Sequence, residues 1–174
     1  MRTGVRVGVD VGTVRVGVAR SDFHGLLATP VETVPRVDPA KRQPRSAGPA
    51  PATGNDPAAI TRICGIVAEL DAVEVIVGLP LALSGRQTAS TDDAVGFAEA
   101  LAAALAGTVP VRLVDERLST VSAQAALRTV GRSTRTQRPV VDQVAATIIL
   151  QHALDTERTS GRPPGAPVET TGRP

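Results

Sequence analysis

Three acidic residues occupy places where a carboxylate could do chemistry. Asp10 lies on a first valine-rich strand, Glu116 lies just past a later strand and beside Asp115, and Asp142 lies in the first turn of the last helical segment. Carboxylates are hard oxygen ligands, and a set drawn from separate elements can hold two Mg²⁺ or Mn²⁺ ions about 3.5–4 Å apart. Such a pair hydrolyses phosphodiester bonds, one ion activating a water and the other stabilising the leaving oxygen. His or Cys ligands would favour softer metals. Each acid also has an ordinary explanation: a solvated hairpin end for Asp10, a helix start for Asp142, a pairing with Arg117 for Asp115. Their combination carries the reading.

The elements that must position these acids follow from periodicity. Val5, Val7, Val9 and Val11 alternate with small or polar residues, the period-two pattern of a strand. Gly12 and Gly17 flank a tight reversal into a second strand ending near Ala19, and a glycine turn lets a phosphate approach the backbone. Leu26 to Val34 makes a third extended segment. Asp56-Pro57 is an N-cap followed by proline at the first helical position, opening a helix to about Leu70. Val73 to Gly78 reads as a buried strand, and a helix follows from near Ser90 to about Ala106, with Asp92 and Asp93 in its first turn. Pro110 to Val114 is the next strand, 121–130 a helix, and Val141 to Leu154 the last helix. Three strands in a row followed by crossover units predict an α/β fold: a mixed five-stranded sheet with helices on both faces, the outline of the ribonuclease H-like fold.

At 174 residues the chain suits one domain, expected over residues 1–155. Within it, residues 35–56 contain five prolines and no apolar periodicity, and read as a flexible, basic insertion carrying Arg36, Lys41, Arg42 and Arg45. Residues 156–174 read as a disordered tail. The core must rest on aliphatic side chains, because there is no Trp or Tyr and the only Phe residues are Phe23 and Phe97. That scarcity also argues against single-strand binding by base stacking.

Net charge is only +2, but eighteen of the nineteen basic residues are Arg. Arg128, Arg132, Arg135 and Arg138 fall in a stretch free of acids, a stripe suited to a nucleic-acid backbone. Cys64 is the single cysteine, in register with Ile60, Ile63 and Val67, and reads as a buried reduced thiol. No signal peptide opens the chain and no apolar run approaches the ~20 residues of a membrane span. The expectation is a soluble, cytoplasmic protein that does not engage a membrane.

Four blocks then carry a family resemblance: Asp10-Val-Gly-Thr-Val-Arg15-Val-Gly17-Val-Ala19; Val77-Gly78-Leu-Pro80 with Gly85 following; Asp115-Glu116-Arg117-Leu-Ser-Thr120; and Asp142-Gln-Val-Ala145-Ala146-Thr-Ile-Ile-Leu150-Gln151. Together, over about residues 4–35 and 57–155, they resemble the YqgF (RuvX) family of ribonuclease H-like proteins, assigned as pre-16S rRNA nucleases and earlier described as Holliday-junction resolvases. The resemblance implies that Asp10, Glu116 and Asp142 are the catalytic, metal-binding acids for two Mg²⁺ or Mn²⁺ ions. Asp115 is a weaker candidate, since neighbours on an extended segment point oppositely. It further implies that Arg15, Arg117 and Thr120 hold phosphate, that the Gly78–Pro80 turn and Gly85 shape the cleft wall, and that Arg132, Arg135 and Arg138 grip the backbone. Ser119 stands where family members tend to have Thr. The implied activity is a nuclease in 5′-end maturation of pre-rRNA, with resolution of branched DNA as the alternative; a resolvase would be a symmetric homodimer, a maturation nuclease a monomer or homodimer.

Two readings compete. The Asp-Val-Gly-Thr-x-x-x-Gly hairpin also resembles the phosphate-binding hairpin of actin-like and sugar-kinase ATPases, but these need a second domain with another such hairpin. A non-catalytic nucleic-acid-binding protein is the other alternative. Clustered acids argue against it, because they repel a phosphate backbone unless metal neutralises them.

Overall fold

The computed structural model describes residues 2–36, 56–116 and 138–169, with the side chains of residues 138–141 outside that description. Strands β1 (Arg6–Val11), β2 (Arg15–Ser21) and β3 (Ala28–Pro35) form an antiparallel meander. Helix α1 (Pro57–Glu69), β4 (Glu74–Leu79), α2 (Ala89–Ala104) and β5 (Val111–Asp115) follow, then α3 (Arg138–Ser160) and a short β6 (Ala166–Pro167). The sheet order is β3-β2-β1-β4-β5-β6, with β4 parallel to both β1 and β5. This is the expected mixed α/β sheet with one strand more. The expected helix at 121–130 lies outside the described residues.

The valine alternation decides which helix covers which face. Val7, Val9, Val16, Val18, Val75 and Val77 are fully buried against Ile60, Ile63 and Val67 of α1 and Phe97 and Leu101 of α2. The opposite face presents Ala19, Ile76 and Val114 to Ala146, Ile149, Leu150, Ala153 and Leu154 of α3. Small residues on that face let α3 lie close. A Cβ at Gly8 would come 2.7 Å from the Leu150 Cβ, and one at Gly78 would come 2.7 Å from the Ile149 Cδ1. Cys64 is half-buried at the margin of the α1/α2 core, and burial pushes its thiol up.

The reading of the C-terminal residues needs correction. Disorder was expected from Thr156, where the apolar periodicity ends, yet α3 runs on to Ser160. Glu157 is buried there by Arg2 and Arg6, and Thr156 and Thr159 return their hydroxyls to the carbonyls of His152 and Asp155. Gly161, at φ +69°, then ends the helix, its N–H donating to the Glu157 carbonyl. The chain next pairs Ala166–Pro167 with β5, secured by Arg112 donating to the carbonyls of Pro164 and Gly165. The start of α3 moves as well. It begins at Arg138, so Asp142 sits in its second turn and is not the helix-start residue that its sequence position suggested. No described helix is long and apolar enough to cross a membrane.

Candidate active site

Asp10 and Gly17 are direct partners across the β1/β2 ladder, so both face the side of the sheet that α3 covers. Gly17 is indispensable there, because a Cβ would collide with the backbone carbonyl of Asp142. The absence of a side chain on β2 therefore brings the second turn of α3 down beside Asp10. β4 repeats the device. Gly78 continues the strand next to β1, and a Cβ on it would collide with the Glu116 carboxylate. Glu116 thus lies over β4 on the same face. Asp115, paired in register with Leu79, belongs by alternation to the other face.

The three carboxylates share one field. Burial pushes Asp10 up to about 6, and the charge of Asp142 adds to the shift. Burial likewise pushes Glu116 up to about 7, reinforced by Asp10 and then by Asp115. Like charges gathered in a partly dry site favour the protonated form. Asp142 is met by Arg15, whose Nε donates to Oδ2 at 2.7 Å. Arg15 leaves from the β1–β2 turn, which the Gly12 N–H closes onto the Arg15 carbonyl at 2.9 Å, with Thr13 and Val14 exposed at its tip.

Asp10, Glu116, Asp142 and Arg15 are therefore brought together. Arg117, Thr120, Arg132 and Arg135 lie outside the described residues, as does the Arg138 side chain. Among the described residues, no three side chains of the ligating types close on their own into a coordination shell. The donor set is all carboxylate oxygen, the kind that Mg²⁺ and Mn²⁺ take, and its repulsion is what a cation would relieve.

Two parts of the site escape a reading of the sequence alone. Gly8 stands in the interior of a strand pattern, a signal of close backbone approach, and it seats Leu150. Arg36 falls in the stretch read as a flexible insertion, yet its side chain is buried against the turn after Asp10, donating to the Gly12 carbonyl at 2.7 Å. No local signal marks it, because its acidic partner Asp93 is 57 residues away in sequence.

Comparison with known proteins identifies the family. A family model described as "RuvX: Holliday junction resolvase" matches residues 4–156. A protein of Clavibacter michiganensis subsp. michiganensis is 61% identical over 166 residues, covering 95% of this chain and 92% of its own. One from Leifsonia xyli subsp. xyli is 60% identical over 169 residues, covering 97% of each. One from Mycolicibacterium smegmatis is 52% identical over 157 residues, covering 90% of this chain and 84% of its own. All three bear the provisional name pre-16S rRNA nuclease. Among solved structures, T. thermophilus RuvC in complex with a Holliday junction substrate superposes with a TM-score of 0.56 at 16% identity, covering 94% of this chain and 99% of that one, and so shares the fold. With a family model spanning nearly the whole described chain and relatives above 50% identity over most of their length, the chain belongs to the RuvX family.

Proposed function

We propose that this protein is a metal-dependent endonuclease that hydrolyses phosphodiester bonds in the 5′-end maturation of pre-16S rRNA. The observation that carries the reading is the gathering of Asp10, Glu116 and Asp142 on one sheet face, where burial and neighbouring carboxylates push Asp10 and Glu116 up. Divalent ions bound there would supply an activated water and stabilise the leaving oxygen. The chain's own residues do the rest. Asp10 and Glu116 are raised carboxyls that give up protons as the cations are taken. Arg15 holds Asp142 at a fixed angle and stands ready to meet a phosphate oxygen. Arg117 and Thr120 orient the scissile phosphate, and Arg132, Arg135 and Arg138 grip the backbone beyond it.

The rRNA substrate is supported by the names of the relatives. A second reading, resolution of four-way DNA junctions, is supported by the description of the family model. Cleavage of matched single-stranded RNA, duplex RNA and four-way DNA junctions with Mn²⁺, beside an Asp10→Asn variant, separates them. RNA cleavage is expected, with a loss of about 10³-fold or more in the variant. Symmetric junction cleavage by a dimer would favour the second reading. Equal cleavage by both proteins, or tight binding in chelator with no cleavage in Mn²⁺, would overturn the metal site.

A further inference from the structure

We infer that Arg36 is a positioning residue of the candidate site, holding the Gly12–Arg15 turn so that Arg15 meets Asp142; the inference deepens the nuclease reading and rests on it for its kinetic consequence. The side chain of Arg36 is only 9% exposed. Its guanidinium fork is engaged on every side. Nη1 donates to the Gly12 carbonyl at 2.7 Å and to Asp93 at 2.6 Å, while Nη2 donates to the second Asp93 oxygen at 3.0 Å. Nε faces Asp56 at 4.0 Å, and the plane sits 5.4 Å from the ring centre of Phe97. The Arg36 backbone N–H also donates to the Val14 carbonyl at 2.8 Å.

One residue thus grasps the turn at two carbonyls, Gly12 and Val14, from behind, and anchors it to the start of α2. The turn itself cannot relax easily. It closes through the Gly12 N–H on the Arg15 carbonyl, and a Cβ at Gly12 would come 2.6 Å from that oxygen. From this turn the Arg15 side chain crosses to Asp142. The contacts form an unbroken line from α2 on one face of the sheet, through Arg36, Gly12 and Arg15, to the carboxylate contributed by α3 on the other. Only a planar fork can hold a carboxylate with two nitrogens and a carbonyl with one of the same two. Lysine offers one point charge in its place.

The test uses the metal-free full-length protein and reads the Arg15 Nε–H resonance by nitrogen-15 NMR. The Arg62 Nε–H, which donates to Glu32 at 2.9 Å away from the site, serves as internal control. In Arg36→Ala the Arg15 resonance is expected to lose its protection from exchange while the Arg62 resonance is unchanged. Arg36→Lys, which keeps the charge and guards against a failure of the alanine variant to fold, should lose it too. Cleavage should fall about 10–100-fold in kcat, the size seen when a supporting partner is removed, with a smaller change in KM. In an Arg15→Ala background the same substitution should cost little more. An unchanged Arg15 resonance in folded Arg36 variants, or effects of Arg15→Ala and Arg36→Ala that simply add, would overturn the inference. If the wild-type protein cuts no nucleic acid, the nuclease reading fails while the Arg15 resonance still decides the positioning role.

Discussion

The two ends of the central strands bury charge in opposite ways. Where β1 and β4 begin, Arg2, Arg6, Glu74 and Glu157 meet, two cations with two anions. Arg6 is fully buried, Glu74 and Glu157 nearly so, and Arg2 forks onto both acids at 2.9–3.1 Å. Burial alone would push the Glu157 carboxyl up, but hydrogen bonds from Arg2 and the charge of Arg6 hold it below its ordinary value. Where β1 ends, Asp10, Glu116 and Asp142 gather with Arg15 alone among the described residues as an ion-paired cation, and both Asp10 and Glu116 are pushed up. Matched charge ties the chain start and α3 to the sheet. Carboxylates buried side by side, so that each raises the next, are a standing cost, and such strain clusters at functional sites. The same strand carries both, and the contrast separates a structural network from a candidate site.

The sharpest way to break this contrast is to disturb the close approach at the carboxylate end. Gly17→Ala places a methyl group on the Asp142 carbonyl, so α3 must lift beside Asp10. A misplacement of this order costs about 10²-fold in rate, to be read as kcat for RNA cleavage in a variant that still folds. Wild-type turnover would show that α3 is free to move there and that Gly17 does not set the geometry.

At the matched end the effect should be on stability. Glu157→Ala leaves Arg6 buried with a weaker complement, a loss of about 3 kcal/mol in urea denaturation, while the folded fraction keeps its cleavage activity. Activity lost with stability intact would erase the distinction between the two ends.

The electrostatic signs give two finer tests. The folded values of Asp10 and Glu116, about 6 and 7, lie above their unfolded values of roughly 3.9 and 4.3. The folded protein therefore binds more protons across that window, and this end loses stability as the pH rises from about 4 to about 7. Asp10→Asn should melt higher than wild type in chelator at pH 7.5, and added Mg²⁺ should raise the melting temperature of wild type but not of the variant. A variant that melts lower would mean the carboxylates are already compensated. The Glu157 contribution runs the other way. Its folded value is depressed, so its stabilisation is present above the unfolded value of about 4.3 and fades as the pH falls through the folded one. Acid titration of the wild type against Glu157→Gln should show the two curves converging at low pH.

Much of this was readable from residues alone, for local reasons. The alternation from Val5 to Val11 gives the strand, places Asp10 on the face opposite the valines, and pairs with the glycine reversal that returns β2 beside it. What failed to show was non-local. Arg36 looks like one more basic residue beside a proline-rich stretch until Gly12 and Asp93 close on it from distant parts of the chain. Glu157 looks like a polar residue past the end of a helix until Arg2 and Arg6, over 150 positions earlier, bury it. Asp142 looks like a helix-start acid because an aspartate ahead of an apolar run imitates a helix beginning, although Pro139 in the first turn of the observed helix marks the earlier start.

The docking of α3 onto the glycine-lined face has a consequence in time as well as in space. Asp10 is synthesised long before Asp142, so their meeting depends on a contact between residues far apart in the sequence. Contacts of such separation form late in folding. A nascent chain that has completed β1 to β5 already has its valine core, but the face that α3 will cover is still bare and one of the three carboxylates is missing. On the nuclease reading, a nascent chain is unable to cut until α3 has been made and has come to rest on the sheet.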